Sequence, residues 1–330
     1  MGINVLSLFD GMSCGMIAAE RAGLKVDKYY ASEIDKYAQI VSEANYPQII
    51  RMGDVTKWRE WDIDWSSIDL VTGGFPCQAW SMAGKQLGDR DERGMLFWTM
   101  LDVMKKVREH NPKAHFLIEN VKMKKEFEEY ITHHTEQALG EVHKILINSA
   151  LVSAQNRNRY YWTSFPCNQP DDKGFVLVDI LESGVVDREK SWCIDANYFK
   201  GGNLKSYFEK HRRQLVFEIS AINDRVRDVT ISREGVRPHR GDNKSSGVSE
   251  MGRLLFKDAN KSYTITTSHA PKLIEFNGYR KLTPIECERL QTVQYNYTNH
   301  VSNTQRYKML GNGWTVDVIS HIFKCLKEIE

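Results

Sequence analysis

Over the first half of the chain, short apolar runs bounded by turn residues alternate with longer stretches whose apolar positions recur every three or four residues. Ile3 to Phe9 reads as a strand, and Cys14 to Ala22 as a helix stopped by Gly23. Val26 to Ser32 is a second strand, followed at once by Glu33. Asp35 to Asn45 is a helix opened by an acidic residue and closed before Pro47. A third strand near Ile49 to Met52 runs into Gly53-Asp54, and Ile68 to Thr72 is the fourth. Gly94 to His110 carries Met95, Phe97, Trp98, Leu101, Met104 and Val107 at helical spacing, and His115 to Ile118 begins a fifth strand that ends at Glu119. Strands alternating with helices predict an α/β fold, a doubly wound, Rossmann-like and mostly parallel sheet covered on both faces.

The pattern then changes. Lys144 to Val152 and Tyr160 to Phe165 read as two strands with no long helix between them, which predicts an antiparallel hairpin at the sheet edge. Residues 166–278 are short mixed segments, with Gly201-Gly202, the basic cluster Lys210-His211-Arg212-Arg213 and a loop-like run from Arg233 to Gly247. From Tyr279 helix signals return, with Thr283-Pro284-Ile285-Glu286 as a capped start and Val316 to Ile329 as a closing helix. The expected organisation is a doubly wound domain over 1–165, a smaller domain over 166–278, and a return segment over 279–330 that packs on both, its last helix completing the first domain.

With 41% hydrophobic and 27% charged residues in 330, the composition is that of globular material. No stretch approaches the roughly 20 apolar residues of a membrane span, and the N-terminus lacks a basic region followed by an apolar signal core, so no membrane partner and a cytoplasmic location are expected. The six cysteines are scattered without a C-x-x-C pair or a His/Cys cluster at metal spacing, so neither a disulfide framework nor a metal site is expected. The net charge of +2 is unevenly spread: residues 198–272 hold fifteen Lys/Arg against eight Asp/Glu. Such a segment suits a polyanionic partner, although a solvated basic surface fits the charge alone equally well.

Ligands of open parallel sheets bind outside the carboxyl ends of the strands, and the chemistry-bearing residues here stand at those ends. Phe9-Asp10-Gly11 follows strand one, Glu33 strand two, Asp54 strand three, Pro76-Cys77 strand four and Glu119-Asn120 strand five. Glu33 lies 22 residues past Gly11, near the spacing of an acid that binds ribose hydroxyls. Asp10 would repel a pyrophosphate and suits a cationic ligand; S-adenosylmethionine, with ammonium and sulfonium groups, fits better than NAD, while tight strand-helix packing also explains the turn. In Gly73-Gly74-Phe75-Pro76-Cys77-Gln78 the glycines free the backbone and Pro76 stiffens it just before the thiol. That is how a nucleophile is presented, against the plainer reading of a buried small hydrophobe. Glu119, at the end of an apolar strand, is placed to have a raised pKa and donate a proton, or to serve as a cap or loop ion pair. Arg157 and Arg159 occupy alternate positions of an extended segment and so face one side, where they could clamp an oxygen or line a solvated turn.

In order along the chain, FDGMSCG, the acid Glu33, GGFPCQ, IENV, QNRNR, RKLTPIECERLQ and LGNGWTVDV resemble the motif series of the DNA (cytosine-5)-methyltransferases. The resemblance is to the bacterial and phage type, with some likeness to the animal de novo enzymes, and spans nearly all the chain except 166–278, where that family keeps its target-recognition domain. It implies an S-adenosylmethionine-dependent enzyme acting on double-stranded DNA with a flipped cytosine. Cys77 would attack carbon 6, Glu119 engage N3 and the exocyclic amine, Arg159 contact O2, and Arg157 support the cysteine or a phosphate. The cofactor pocket would comprise Phe9, Asp10, Gly11, Glu33, Ile34, Asp54, Pro76, Asn312, Trp314 and Val316. A cognate restriction endonuclease would be a functional partner. Two alternatives are a transfer-RNA cytosine-5 methyltransferase and a catalytically silent accessory subunit, although the latter would be expected to lack the thiol or the acid.

Overall fold

A computed structural model describes residues 2–76, 94–219, 230–231, 237–238, 252–253, 256–257 and 276–329. Cys77, and most of the basic segment, lie outside the described residues.

Seven strands form one sheet: β1 (Ile3–Leu8), β2 (Val26–Ser32), β3 (Ile50–Arg51), β4 (Leu70–Gly73), β5 (His115–Val121), β6 (His143–Asn148) and β7 (Asn158–Thr163). Their order is β3-β2-β1-β4-β5-β7-β6. β1 to β5 pair in parallel, and β7 runs antiparallel between β5 and β6. The chain steps outward from β1 to β2 and β3, then returns to place β4 on the other side of β1, so the switch point expected of a ligand-binding α/β sheet lies between β1 and β4. The predicted α/β sheet and its antiparallel hairpin are present, with β7 inserted inside the edge. The third strand is shorter than expected, pairing only over Ile50–Arg51.

Alternation along β1 divides the core. Val5 belongs to one cluster with Tyr29, Ala31 and Leu117; Leu6 and Leu8 belong to the other with Tyr30, Val71, Phe116 and Ile118. The first face is covered by α1 (Cys14–Ala22) and the closing helix α8 (Val316–Ile329), which pack on each other; the second is covered by α3 (Leu96–His110) and α4 (Lys125–Leu139). Local chemistry fixes the helix ends. Gly23, at φ 71°, closes α1 with its N–H on the Ala19 and Glu20 carbonyls. Asp35 caps α2 (Lys36–Asn45) by accepting from Tyr37 N and Ala38 N. Thr283 and Glu286 form a reciprocal capping box at α6 (Pro284–Leu290), with proline in the first turn.

Two helices have no clear signal in the pattern. The buried positions of α4 are Glu128, Ile131, Thr135 and Leu139, helically spaced but half polar. Glu128 is ion-paired with Lys144 of β6, and Thr135 donates to the Ile131 carbonyl at 2.7 Å. In α7 (Asn303–Asn312) the buried Arg306 is held by Glu288 at 3.0 Å and Thr298 at 2.8 Å. Apolar periodicity is diluted in both.

Beyond β7, Leu177, Ile180, Val186, Ile194 and Tyr198 join the same core cluster as α1 and α8. A smaller cluster surrounds Tyr207 of α5 (Leu204–Lys210) and Leu215 and Phe217 of β8 (Leu215–Ile219). Four two-residue strands follow, Thr230–Ile231 paired with Phe256–Lys257 and Arg237–Pro238 with Gly252–Arg253. The last strand, Phe276–Lys281, pairs antiparallel with β8. No helix among the described residues is long and apolar enough to cross a membrane.

Candidate active site

The ends of β1, β2, β4 and β5 and the residues from Met309 to Trp314 enclose one cavity of about 440 Å³. Its walls include Phe9, Asp10, Gly11, Glu33, Ile34, Asp54, Pro76, Glu119, Arg157, Arg159, Asn312 and Trp314. The structure therefore gathers the described candidates round one space, with one difference. Val316 is fully buried in the first turn of α8 and stands behind the wall, its N–H donating to the Gln291 carbonyl at 3.0 Å. As an apolar residue one step into an amphipathic helix, it is drawn into the core.

The turn after β1 is wound tightly, with Phe9 at φ 58°, Gly11 at 61° and Ser13 at 64°. Two non-glycine residues in the left-handed region are costly, and Asp10 holds them there. Its carboxylate accepts from Ser13 Oγ at 2.6 Å and Tyr29 OH at 2.7 Å. Burial raises the Asp10 pKa, and these hydrogen bonds oppose the rise. Asp10 is thus chiefly the post of the turn. Open space surrounds the position where a Gly11 side chain would stand. Glu33 ties the turn to β2: its carboxylate accepts from Gly11 N at 2.8 Å, Ile34 N at 2.7 Å and Asp35 N at 2.7 Å. Ile34 is 73% exposed, an apolar side chain on the cavity rim. Asp54 accepts from Thr56 N at 2.9 Å, capping a short 3-10 helix.

On the opposite wall, Glu119 is nearly buried and doubly engaged. Arg159 Nε stands 3.0 Å from one oxygen, and the Trp314 indole N–H donates to the other at 3.1 Å. Gly74 lies beneath them: a β-carbon there would stand 3.1 Å from both Glu119 Oε2 and Trp314 Nε1. Asn120 donates from Nδ2 to the Phe75 carbonyl at 3.1 Å, fastening the loop after β4 to β5. Pro76 is the last described residue before Cys77.

Arg157 and Arg159 do face one side, since both approach Cys193 Sγ, at 3.3 and 4.0 Å. Burial pushes the Cys193 thiol up, but the two guanidinium charges outweigh it and bring its pKa below the usual value. Arg157 has a further task that its spacing did not signal. It is 3% exposed and donates to the carbonyls of Ile194 at 3.1 Å, Gly311 at 3.3 Å and Gly313 at 2.8 Å. Backbone carbonyls that converge from two distant segments claim its donors, so it braces the wall. Gln291, the residue that ends α6, reinforces it, donating to the Leu310 carbonyl at 2.6 Å and the Gly313 carbonyl at 3.1 Å.

Sequence reasoning singled out Gly74 for its backbone freedom, not for its place under Glu119, and missed Tyr29 and Cys193, which nothing in the spacing signalled. It also missed Cys167, His321 and Cys325, whose ligand atoms meet although no metal cluster was expected. Only the His321-x-x-x-Cys325 spacing, one helical turn, hinted at that group.

The profile of the family described as C-5 cytosine-specific DNA methylase matches residues 3–328. The Type II methyltransferase M1.ScrFI of Lactococcus lactis subsp. cremoris is 32% identical over 317 residues, covering 92% of this chain and 73% of the relative. M.HpaII of Haemophilus parainfluenzae is 30% identical over 349 residues, covering 98% and 88%. Among solved structures, the Entamoeba histolytica methyltransferase EhMeth superposes with a TM-score of 0.64 at 14% identity, over 100% of this chain and 99% of that one. A DNMT2 mutant of Spodoptera frugiperda gives 0.59 at 18%, over 99% and 100%. These two likenesses concern the fold. With the family profile spanning the sheet, the cavity wall and the closing helix alike, the chain belongs to the C-5 cytosine-specific DNA methylases and is a DNA (cytosine-5) methyltransferase.

Proposed function

We propose that the chain methylates carbon 5 of a cytosine within a specific duplex DNA site, using Cys77 as nucleophile and S-adenosylmethionine as methyl donor. The observation that carries this reading is the side-by-side pair of Glu119 and Arg159 in the wall of an otherwise acidic cavity. A carboxyl and a guanidinium 3.0 Å apart present acceptor and donor in the order that matches a cytosine's amine, N3 and O2 edge.

The cavity fits the cofactor's chemistry. Asp10, Glu33, Asp35, Asp54 and Glu119 face it against Arg157 and Arg159, and both arginines are engaged by protein groups. That balance suits a cationic ligand. The open space over Gly11 admits one close to the backbone. Glu33 would hold the ribose, Asp54 the adenine amine, and Phe9, Ile34 and Trp314 the apolar faces, with Gly11, Pro76 and Asn312 shaping the wall. When bound, the cofactor supplies an activated methyl group.

The chain's own residues do the rest. The Cys77 thiolate adds to carbon 6 of the cytosine while Glu119 and Arg159 hold N3, the amine and O2, which makes carbon 5 nucleophilic. After methyl transfer a base takes the carbon-5 proton, and the thiolate leaves as the ring double bond re-forms. A base inside the duplex cannot reach this site, so it must be everted. Residues 166–278 would supply target recognition, with their basic excess on phosphates. By analogy with the Type II relatives, the host compartment is a bacterial or phage-infected cytoplasm and a restriction endonuclease of the same specificity is the functional partner.

Methyl transfer from labelled S-adenosylmethionine to duplex DNA and to transfer RNA is the direct test. Wild type should label DNA, and Cys77→Ser should lose at least about a thousandfold in rate. Label confined to transfer RNA would replace the substrate; an active Cys77→Ser would remove the covalent step.

A further inference from the structure

On the face of the molecule covered by α8, a second group of chemically competent side chains has no part in methyl transfer. Cys167 follows β7, while His321 and Cys325 sit one turn apart on α8, so both point to the same side of that helix. One ligand atom from each of the three lies within 4.8 Å of the others. All three residues are partly exposed, so a solvated ion has access.

We propose that Cys167, His321 and Cys325 form a zinc(II) site that fastens the segment after β7 to the closing helix. Two thiolates and an imidazole are a ligand set typical of zinc. Cys325 Sγ stands 3.9 Å from His321 Nε2. The sulfur-to-nitrogen edge of a tetrahedral zinc site is about 3.6 Å for the usual bond lengths, so a few tenths of an ångström of side-chain motion closes it. The backbone supplies a further cue. The Asn168 carbonyl lies 2.7 Å from His321 Nε2 and 3.5 Å from Cys167 Sγ, so one oxygen gathers the polar hydrogens of two ligands. Zinc takes the place of those hydrogens. Two thiol protons leave to solvent, and the proton between Nε2 and Asn168 moves to Nδ1. The Asn168 oxygen or a water completes four-coordination. Charge balances as one divalent cation on two thiolates.

The consequence is structural. α8 covers α1, and the loop that leads into it carries Trp314, so the ion would steady the wall on which Glu119 leans without touching substrate.

The test uses the reduced full-length protein. It is equilibrated with zinc chloride, desalted, and analysed for metal by mass spectrometry. In parallel, cobalt(II) chloride is titrated against absorbance. The expected result is one metal per chain, a thiolate-to-cobalt charge-transfer band with the strong visible bands of tetrahedral cobalt, and a zinc-dependent rise in thermal midpoint. Cys167→Ser, Cys325→Ser and His321→Asn should each weaken zinc binding at least tenfold. Should a cysteine variant fail to fold, the His321→Asn titration decides. Absence of stoichiometric metal and of the charge-transfer band in wild type overturns the proposal. So does a band that is unchanged in all three variants, or a Cys167–Cys325 disulfide that forms in air while the reduced protein takes up no metal.

Discussion

Gly74 is where the smallest change meets the most chemistry. A methyl group there would sit 3.1 Å from Glu119 Oε2 and Trp314 Nε1, tighter than ordinary contact, and would push the carboxylate and the indole apart by a few tenths of an ångström. Gly74→Ala should therefore lower kcat/KM for DNA methylation by about tenfold to a hundredfold while the thermal midpoint barely moves. Steady-state kinetics beside a melting curve separate the two; unchanged kinetics would mean that the alignment of Glu119 has no role. At this scale the sequence was a good guide to which residues face the cavity and a poor one to what each does there. Asp10 was expected to suit a cation, but nothing in its spacing showed that Ser13 and Tyr29 also donate to its oxygens. Arg157 was expected to support the cysteine or a phosphate, but nothing in its spacing showed that carbonyls from residues 194, 311 and 313 hold it. Such partners come from distant parts of the chain, and no local spacing encodes them.

At the scale of elements, legibility followed the contrast between apolar and polar positions. α1, α2 and α8 carry both a periodic apolar face and recognisable ends, and were read to within a residue or two. α4 buries Glu128 and Thr135 and α7 buries Arg306, so their inward faces look polar until the partners are known. α6 shows how much an end signal contributes. Thr283 accepts from Glu286 N at 3.1 Å and donates to Glu182 at 2.6 Å, while Glu286 also accepts from both terminal nitrogens of Arg280. Thr283→Ala removes the capping hydroxyl together with the γ-methyl. The expected loss is about 1 kcal/mol in urea unfolding, with activity kept. A loss near zero would mean that the Arg280–Glu286 pair carries the cap by itself.

For the whole molecule, burial of phenols sets an alkaline limit. Tyr29, Tyr46, Tyr161, Tyr198, Tyr207, Tyr297 and Tyr307 all have raised pKa values, with burial the leading cause in each. Their folded pKa lies above the unfolded value near 10, so their contribution is fully present below pH 10 and is lost as pH rises through the folded values. Stability should fall steeply above about pH 10, and a spectrophotometric phenolate titration should show these tyrosines ionising only as the chain unfolds. Smooth titration of all tyrosines before the loss of circular dichroism would contradict this. The recognition assignment belongs to the same scale. Residues 166–278, assigned to recognition, are the unit to exchange, and β8 pairs with the strand Phe276–Lys281 near its end. A chimera carrying that segment from a relative should methylate the relative's site, read by bisulfite sequencing; unchanged specificity would place recognition elsewhere.

The bracing of the cavity by Arg157 also bears on how the protein is made. One wall comes from strands that leave the ribosome early, and the other is Gly311 to Trp314, which Arg157 and Gln291 hold in place. The strands through β7 are synthesised well before that second wall. A nascent or prematurely terminated chain would then carry the acid and the arginines but have no pocket for a methyl donor. A chain that stops short of residue 314 should therefore leave DNA unmodified, because chain order places this wall last.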